Sequence, residues 1–163
     1  MNTVKYKPNP RLKNFDYIGR YRYFITICAD RRKNIFEENN ALVEVLLDIL
    51  AASGGMHRFT IWAYCFMPDH LHFLAEGGKE DADLKKFIKD YKQKTGYQYT
   101  KRKSMNGHKL WQPGYYEHVL RETEDTDAVL RYILENPVRK GLVAHYLDYR
   151  YSGSLAMDVR NIL

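Results

Sequence analysis

This 163-residue sequence predicts an α+β domain: an antiparallel sheet with two helices on one face and an extra helix near the C-terminal end. Three observations predict it. Segments of period-two alternation and segments of helical period follow one another in the order β-α-β-β-α-β-α. Two strand-like runs, Arg58–Met67 and His70–Ala75, are separated only by Pro68-Asp69, a hairpin-length connection. A content of 45% hydrophobic and 28% charged residues suits one compact core and excludes a disordered chain. The first six elements match the ferredoxin-like split βαβ unit, and the seventh is additional.

The first strand lies in RYRYFITICADRR, where Tyr23, Ile25 and Ile27 alternate with Phe24, Thr26 and Cys28 before a basic turn at Arg31–Lys33. In Ala41–Ala52, Leu42, Val45, Leu46 and Ile49 recur at the i, i+3, i+4, i+7 spacing of a helix, which Ser53-Gly54-Gly55 is expected to end. RFTIWAYCFM and HLHFLA are the second and third strands, the latter stopped by Gly77-Gly78. Leu84, Phe87, Ile88 and Tyr91 form the apolar stripe of a second helix, after which a Lys-, Gly- and Asn-rich loop is expected to about Lys109. Tyr115–Arg121 is the fourth strand. Thr123 is placed to cap a last helix with Glu124 and Asp125 in its first turn, running to Asn136, where Pro137 stops it. The open face of the sheet is the place for this helix to pack. The tail beyond Gly141 is expected to fold back as a loop, and residues 1–163 read as a single domain.

Composition narrows the function classes. The first residues are polar and basic, without the apolar run of a signal peptide, and the apolar stretch Ala41–Ala52 is interrupted by Glu44 and Asp48 and too short to span a bilayer. Cys28 and Cys65, the two cysteines, sit in apolar strand-like runs, as expected of reduced buried thiols in a cytoplasmic protein. The net charge of +6 points toward a polyanionic partner. Lys85–Lys103 contains eight cationic residues and one acid, Asp90, with Tyr91, Tyr97 and Tyr99 interleaved, a pattern that suits single-stranded nucleic acid. A solvated helix face followed by a basic loop explains the same pattern equally well. Lys85, Lys89 and Lys92 are the candidate contacts there, with Arg20, Arg22 and Arg31 as a second set.

The segment MPDHLHFLAEG places His70 and His72 two residues apart in a strand, so both imidazoles point to one face while Leu71 and Phe73 point to the other. Two imidazoles on adjacent pleats can share a metal ion or grip one phosphate. With Glu76 they spell the H-x-H-x-x-x-E of a cupin, but a cupin is a jelly roll of many short strands and has no place for three amphipathic helices. A zinc hydrolase needs a further ligand, and neither His57, His108, His118 nor His145 is singled out by spacing. The last helix offers another donor. Tyr132 and Asn136 are four residues apart and share a face, which a helix laid on the open sheet face would bring toward the histidines. Asn136 could then complete a metal site and Tyr132 stand beside it as a nucleophile. Among 14 tyrosines, geometry alone does not select this one.

These residues resemble the single-strand DNA transposases of the HUH class (His–hydrophobic–His) that use one catalytic tyrosine, and within that class the REP-associated tyrosine transposases. The resemblance runs from about Tyr17 to Gly153 and is carried by WAYCFMPDHLHFL, LWQPGYYEHVLR and AVLRYILENPVRKGLV, in that order. It implies the ferredoxin-like fold, His70, His72 and Asn136 as metal ligands, and Tyr132 as the nucleophile on the extra helix. It also implies either Mg2+ or Mn2+ as cofactor, although imidazole favours Mn2+ on grounds of ligand softness. Trp111, Gln112, Glu117 and His118 fall in a shared motif with no role that their chemistry assigns. The activity implied is cleavage and rejoining of single-stranded DNA, at hairpin-forming repeats, through a 5′-phosphotyrosine. Such an enzyme would act as a monomer or homodimer in the cytoplasm, at the nucleoid. The alternative is a non-catalytic module of the RRM type, which stacks bases on exposed aromatic side chains of its sheet.

Overall fold

The computed structural model describes residues 11–103 and 108–162. Its strands are β1 (Arg22–Cys28), β2 (Phe59–Met67), β3 (His70–Gly77), β4 (Tyr116–Val119) and β5 (Ser152–Gly153). Its α-helices are α1 (Asn40–Met56), α2 (Leu84–Lys103), α3 (Thr126–Leu134) and a single turn, α4 (Asn136–Arg139). The strands form one antiparallel sheet in the order β4-β1-β3-β2-β5, so β3, which carries both histidines, lies at its centre.

Alternation along the strands sorts the apolar residues into two cores. Tyr23, Ile25 and Ile27 of β1, Phe59, Ile61, Tyr64 and Phe66 of β2 and Leu71, Phe73 and Ala75 of β3 face α1 and α2. There they meet Leu42, Leu46 and Leu50 from one helix and Leu84, Phe87, Ile88 and Tyr91 from the other. Each large side chain buried this way contributes about 1.5–3 kcal/mol. On the opposite face Phe24, Ala63, Cys65, Met67 and Leu74 pack against Leu120 and against Val129, Leu130, Ile133 and Leu134, from α3 and the segment leading into it. The period-two pattern breaks once: the β2–β3 register shifts between Ile61 and Ala63, so Trp62 is an extra residue and Tyr64 returns to the helix side.

The structure corrects several element boundaries. α1 does not end at Ser53-Gly54-Gly55 but runs through it to Met56. Gly54 serves close packing: a Cβ there would stand 3.3 Å from the carbonyl oxygen of Phe59 and 3.4 Å from the side chain of Ile61. α2 continues to Lys103 and absorbs most of the segment expected as loop, while residues 104–107 of that segment lie outside the described residues. α3 is capped by Asp125, whose side chain accepts from the Asp127 N–H at 2.9 Å, not by Thr123. It ends at Leu134, and Pro137 sits in the first turn of α4, where a missing N–H costs nothing. The tail also adds β5, paired to β2 through Tyr64↔Gly153 and Cys65↔Ser152. Two residues are too few to leave a periodic signal.

Candidate active site

The two histidines are neighbours across one pleat of the central strand. Register places His72 between Thr26 of β1 and Cys65 of β2, and His70 between Cys28 and Met67. Both rings are buried, with 8% and 9% of their surface exposed, and their Nε2 atoms are 2.9 Å apart. Each Nδ1 is engaged elsewhere. His70 Nδ1 donates to Asp69 Oδ1 at 2.5 Å, and His72 Nδ1 lies 2.7 Å from the Thr26 hydroxyl. Asp69 is held in turn by Arg32, whose Nε is 2.7 Å from Oδ2 and whose Nη1 is 2.8 Å from Cys28 Sγ.

This donor set fits a divalent cation. A carboxylate accepting from Nδ1–H fixes the tautomer that leaves the His70 Nε2 lone pair free, the arrangement that orients metal-binding histidines. If His72 presents a lone pair too, the two nitrogens repel unless a proton or a cation lies between them. At 2.9 Å the two Nε2 atoms are close enough that both would hold one divalent ion. Burial pushes both imidazoles below their ordinary range, most strongly His72, so they stay neutral and able to ligate at neutral pH. For His70 the Asp69 carboxylate opposes that shift; for His72 the charges of Arg139, Arg32 and Lys140 reinforce it. Among the described residues no group of three His, Cys, Asp or Glu side chains could hold a metal, so the zinc alternative finds no third ligand among His57, His108, His118 and His145.

α3 lies across the histidine face, and Tyr132 comes with it. Its ring centre is 6.3 Å from that of His72 and 5.7 Å from that of Phe24, edge to face in both cases. Asn136 opens α4 and is 4% exposed, with Pro137 buried beside it. Of the competing tyrosines, Tyr115 packs toward the α1/α2 core with the Arg11 guanidinium over its ring, and burial raises its phenol to about 12. Tyr116 pairs with Thr26 and so points to the histidine face, but from β4, two strands away from β3.

The nominated basic residues do not form one surface. Lys85, Lys89 and Lys92 belong to α2, on the other side of the sheet from the histidines. Lys85 lies over the Tyr17 ring and Lys89 is exposed, whereas Lys92 Nζ donates to the carbonyls of Gln112 and Gly114. Arg20 pairs with Glu80, Arg31 lies 3.8 Å from Asp30, and Arg22 donates to the Thr126 hydroxyl at the start of α3. The charges acting on the histidines come instead from Arg32, Arg139 and Lys140. Of these, and of Thr26 and Asp69, only Asp69 had a signal in the sequence, its adjacency to His70.

The Trp111 motif has structural contacts. Trp111 Nε1 donates to the Thr95 hydroxyl at 2.8 Å within the helix-side core, and the Gln112 N–H donates to the carbonyl of Cys28. Glu117 lies buried 3.2 Å from Arg11 Nε, and His118 Nε2 is 2.6 Å from Glu124 Oε1.

The described residues form an α+β fold around one antiparallel sheet, and the sequence model of the IS200-like transposases matches residues 18–136. The chain belongs to this family, and is a DNA-transferring enzyme of that class. It is 33% identical over 156 residues to a Haemophilus influenzae protein named for the REP-associated tyrosine transposases, covering 91% of this chain and 86% of that one. The REP-associated tyrosine transposase of Escherichia coli is 30% identical over 94 residues, 58% of this chain and 53% of its own. A solved structure of a REP-associated tyrosine transposase bound to a REP hairpin shares the fold, with a TM-score of 0.68 at 23% identity over 88% of this chain and 82% of that one. No helix among the described residues is long and apolar enough to cross a membrane.

Proposed function

We propose that the chain cleaves and rejoins single-stranded DNA at hairpin-forming repeats, with Tyr132 as nucleophile and His70, His72 and Asn136 as ligands of Mg2+ or Mn2+. The observation that carries this reading is the convergence on one sheet face of the paired Nε2 atoms and the Tyr132 ring. The hairpin in the similar solved structure supports the substrate class. Asn136, buried at the start of α4 just beyond the tyrosine-bearing helix, is the third ligand that the family resemblance implies.

In the reaction proposed, the Tyr132 phenol loses its proton and its oxygen forms a bond to phosphorus as the P–O3′ bond breaks. The products are a 5′-phosphotyrosine and a 3′-hydroxyl. Attack by a second 3′-hydroxyl reverses the exchange, so bond energy is conserved without a nucleotide cofactor. When bound, a divalent ion supplies Lewis-acid polarisation of a non-bridging phosphate oxygen. Asp69 and Thr26 hold the two imidazoles in orientation, and Arg32 and Lys140 offset the charge of the DNA backbone. A base-stacking module of the RRM type would need an open sheet face, and here α3 covers that face.

The test is incubation of the protein with hairpin-bearing single-stranded oligonucleotides and Mn2+, followed by a denaturing gel. A covalent protein–DNA band is expected, lost in EDTA and in Tyr132→Phe, with DNA affinity retained in that variant. Cleavage that survives Tyr132→Phe, or an adduct mapped by mass spectrometry to Tyr116, would show that the nucleophile is another residue.

A further inference from the structure

The helix break after Leu134 places one arginine where a continuous helix would not. In an unbroken helix a residue seven positions on lies about 10 Å further along the same face. Here α3 stops at Leu134, Asn136 and Pro137 begin α4, and Arg139 folds back onto Tyr132. Its guanidinium carbon sits 4.2 Å from the centre of the Tyr132 ring, and its Nη2 donates to the Tyr132 backbone carbonyl at 2.6 Å. One side chain thus holds the same residue twice, by the ring and by the main chain. The Phe24 ring meets Tyr132 edge to face, at 89°. Two torsions decide where a tyrosine's hydroxyl lies, and contacts from two directions restrain both.

We propose that Arg139 is the positioning residue of Tyr132, clamping its ring in the orientation from which the phenol attacks; this rests on the reading of Tyr132 as nucleophile. A lysine cannot replace it fully. Only a planar guanidinium can stack on the ring while donating in plane to the carbonyl.

The test uses the whole chain labelled with 3-fluorotyrosine, the Tyr132 fluorine resonance being assigned by its loss in Tyr132→Phe. Arg139→Ala should move that resonance toward the free amino-acid value and narrow it, with Arg139→Lys intermediate. At saturating hairpin oligonucleotide and Mn2+, adduct formation should fall roughly tenfold to a hundredfold in Arg139→Ala, the scale of a small misplacement of a reacting group. The dissociation constant for DNA should stay within about twofold, and Arg139→Lys should recover part of the rate. Arg139→Lys also serves if the alanine variant disturbs the fold. A fluorine signal that ignores Arg139→Ala overturns the clamp. Weakened DNA binding with full rate at saturation also overturns it and makes Arg139 a phosphate contact. A parent protein that forms no adduct at all overturns the reading of Tyr132 as nucleophile and leaves the fluorine arm to decide the clamp.

Discussion

Asp69 touches the candidate metal site only through His70, yet it decides which nitrogen of that ring carries the proton. Asp69→Asn keeps the shape but turns a charged acceptor into a neutral one, and should weaken Mn2+ binding about 10- to 100-fold by calorimetry. Unchanged affinity would mean that His70 is not a ligand. The same two rings make the metal-free protein sensitive to acid. Burial holds both below their ordinary pKa, so as pH falls below about 6.5 the unfolded chain takes up protons that the folded chain refuses. The unfolded state then binds more protons, and stability declines with falling pH. Denaturant midpoints should be lower at pH 5.5 than at pH 7.5, and less so in a His70→Gln, His72→Gln double variant. An equally steep decline in that variant would assign the acid sensitivity to other groups.

At the scale of elements, the lysines of α2 have different work despite identical chemistry. Lys92 is half-buried and its ammonium ties the helix to the carbonyls of Gln112 and Gly114, below the turn that leads into β4. Lys92→Met should therefore cost about 1–3 kcal/mol of stability, read from the denaturant midpoint. Lys89→Gln, at an exposed position, should stay within about 0.5 kcal/mol. A neutral Lys92→Met would make its two hydrogen bonds ornamental. No spacing rule separates these two residues in advance, since both lie in one basic run on one helix. Helix and strand identities were legible because each element is amphipathic by itself: the stripe Leu84, Phe87, Ile88 and Tyr91 is buried as its spacing implies. The ends were less legible, because capping and close packing decide them. Gly54 looks like a stop but fits under a neighbouring strand, and Thr123 looks like a cap but lies short of the residue that does the capping.

Over the whole molecule, the sheet separates two basic regions: Arg32, Arg139 and Lys140 act on the histidine face, and Lys85 and Lys89 stand on the helix face. On the proposed reading, a hairpin with its single-stranded flank at the candidate site has its duplex stem left to meet Lys85 and Lys89. Lys85→Gln with Lys89→Gln should then flatten the salt dependence of binding for a hairpin oligonucleotide, by about 0.9 in log–log slope for each duplex phosphate no longer neutralised, and leave that of an unstructured strand unchanged. Equal flattening for both substrates would place the single strand on α2 instead. The amino-acid sequence by itself determined the order of the first seven elements and the shared face of His70 and His72, since each follows from a local period of two or 3.6 residues. Only the tertiary structure decided which strand stands beside which, and hence that Thr26 meets His72 and that Arg32 reaches Asp69. It also decided that Arg139 returns to Tyr132 across a helix break. Those pairings join residues far apart in the chain or across a turn, where the partner is chosen by how whole elements pack and no local periodicity records the choice.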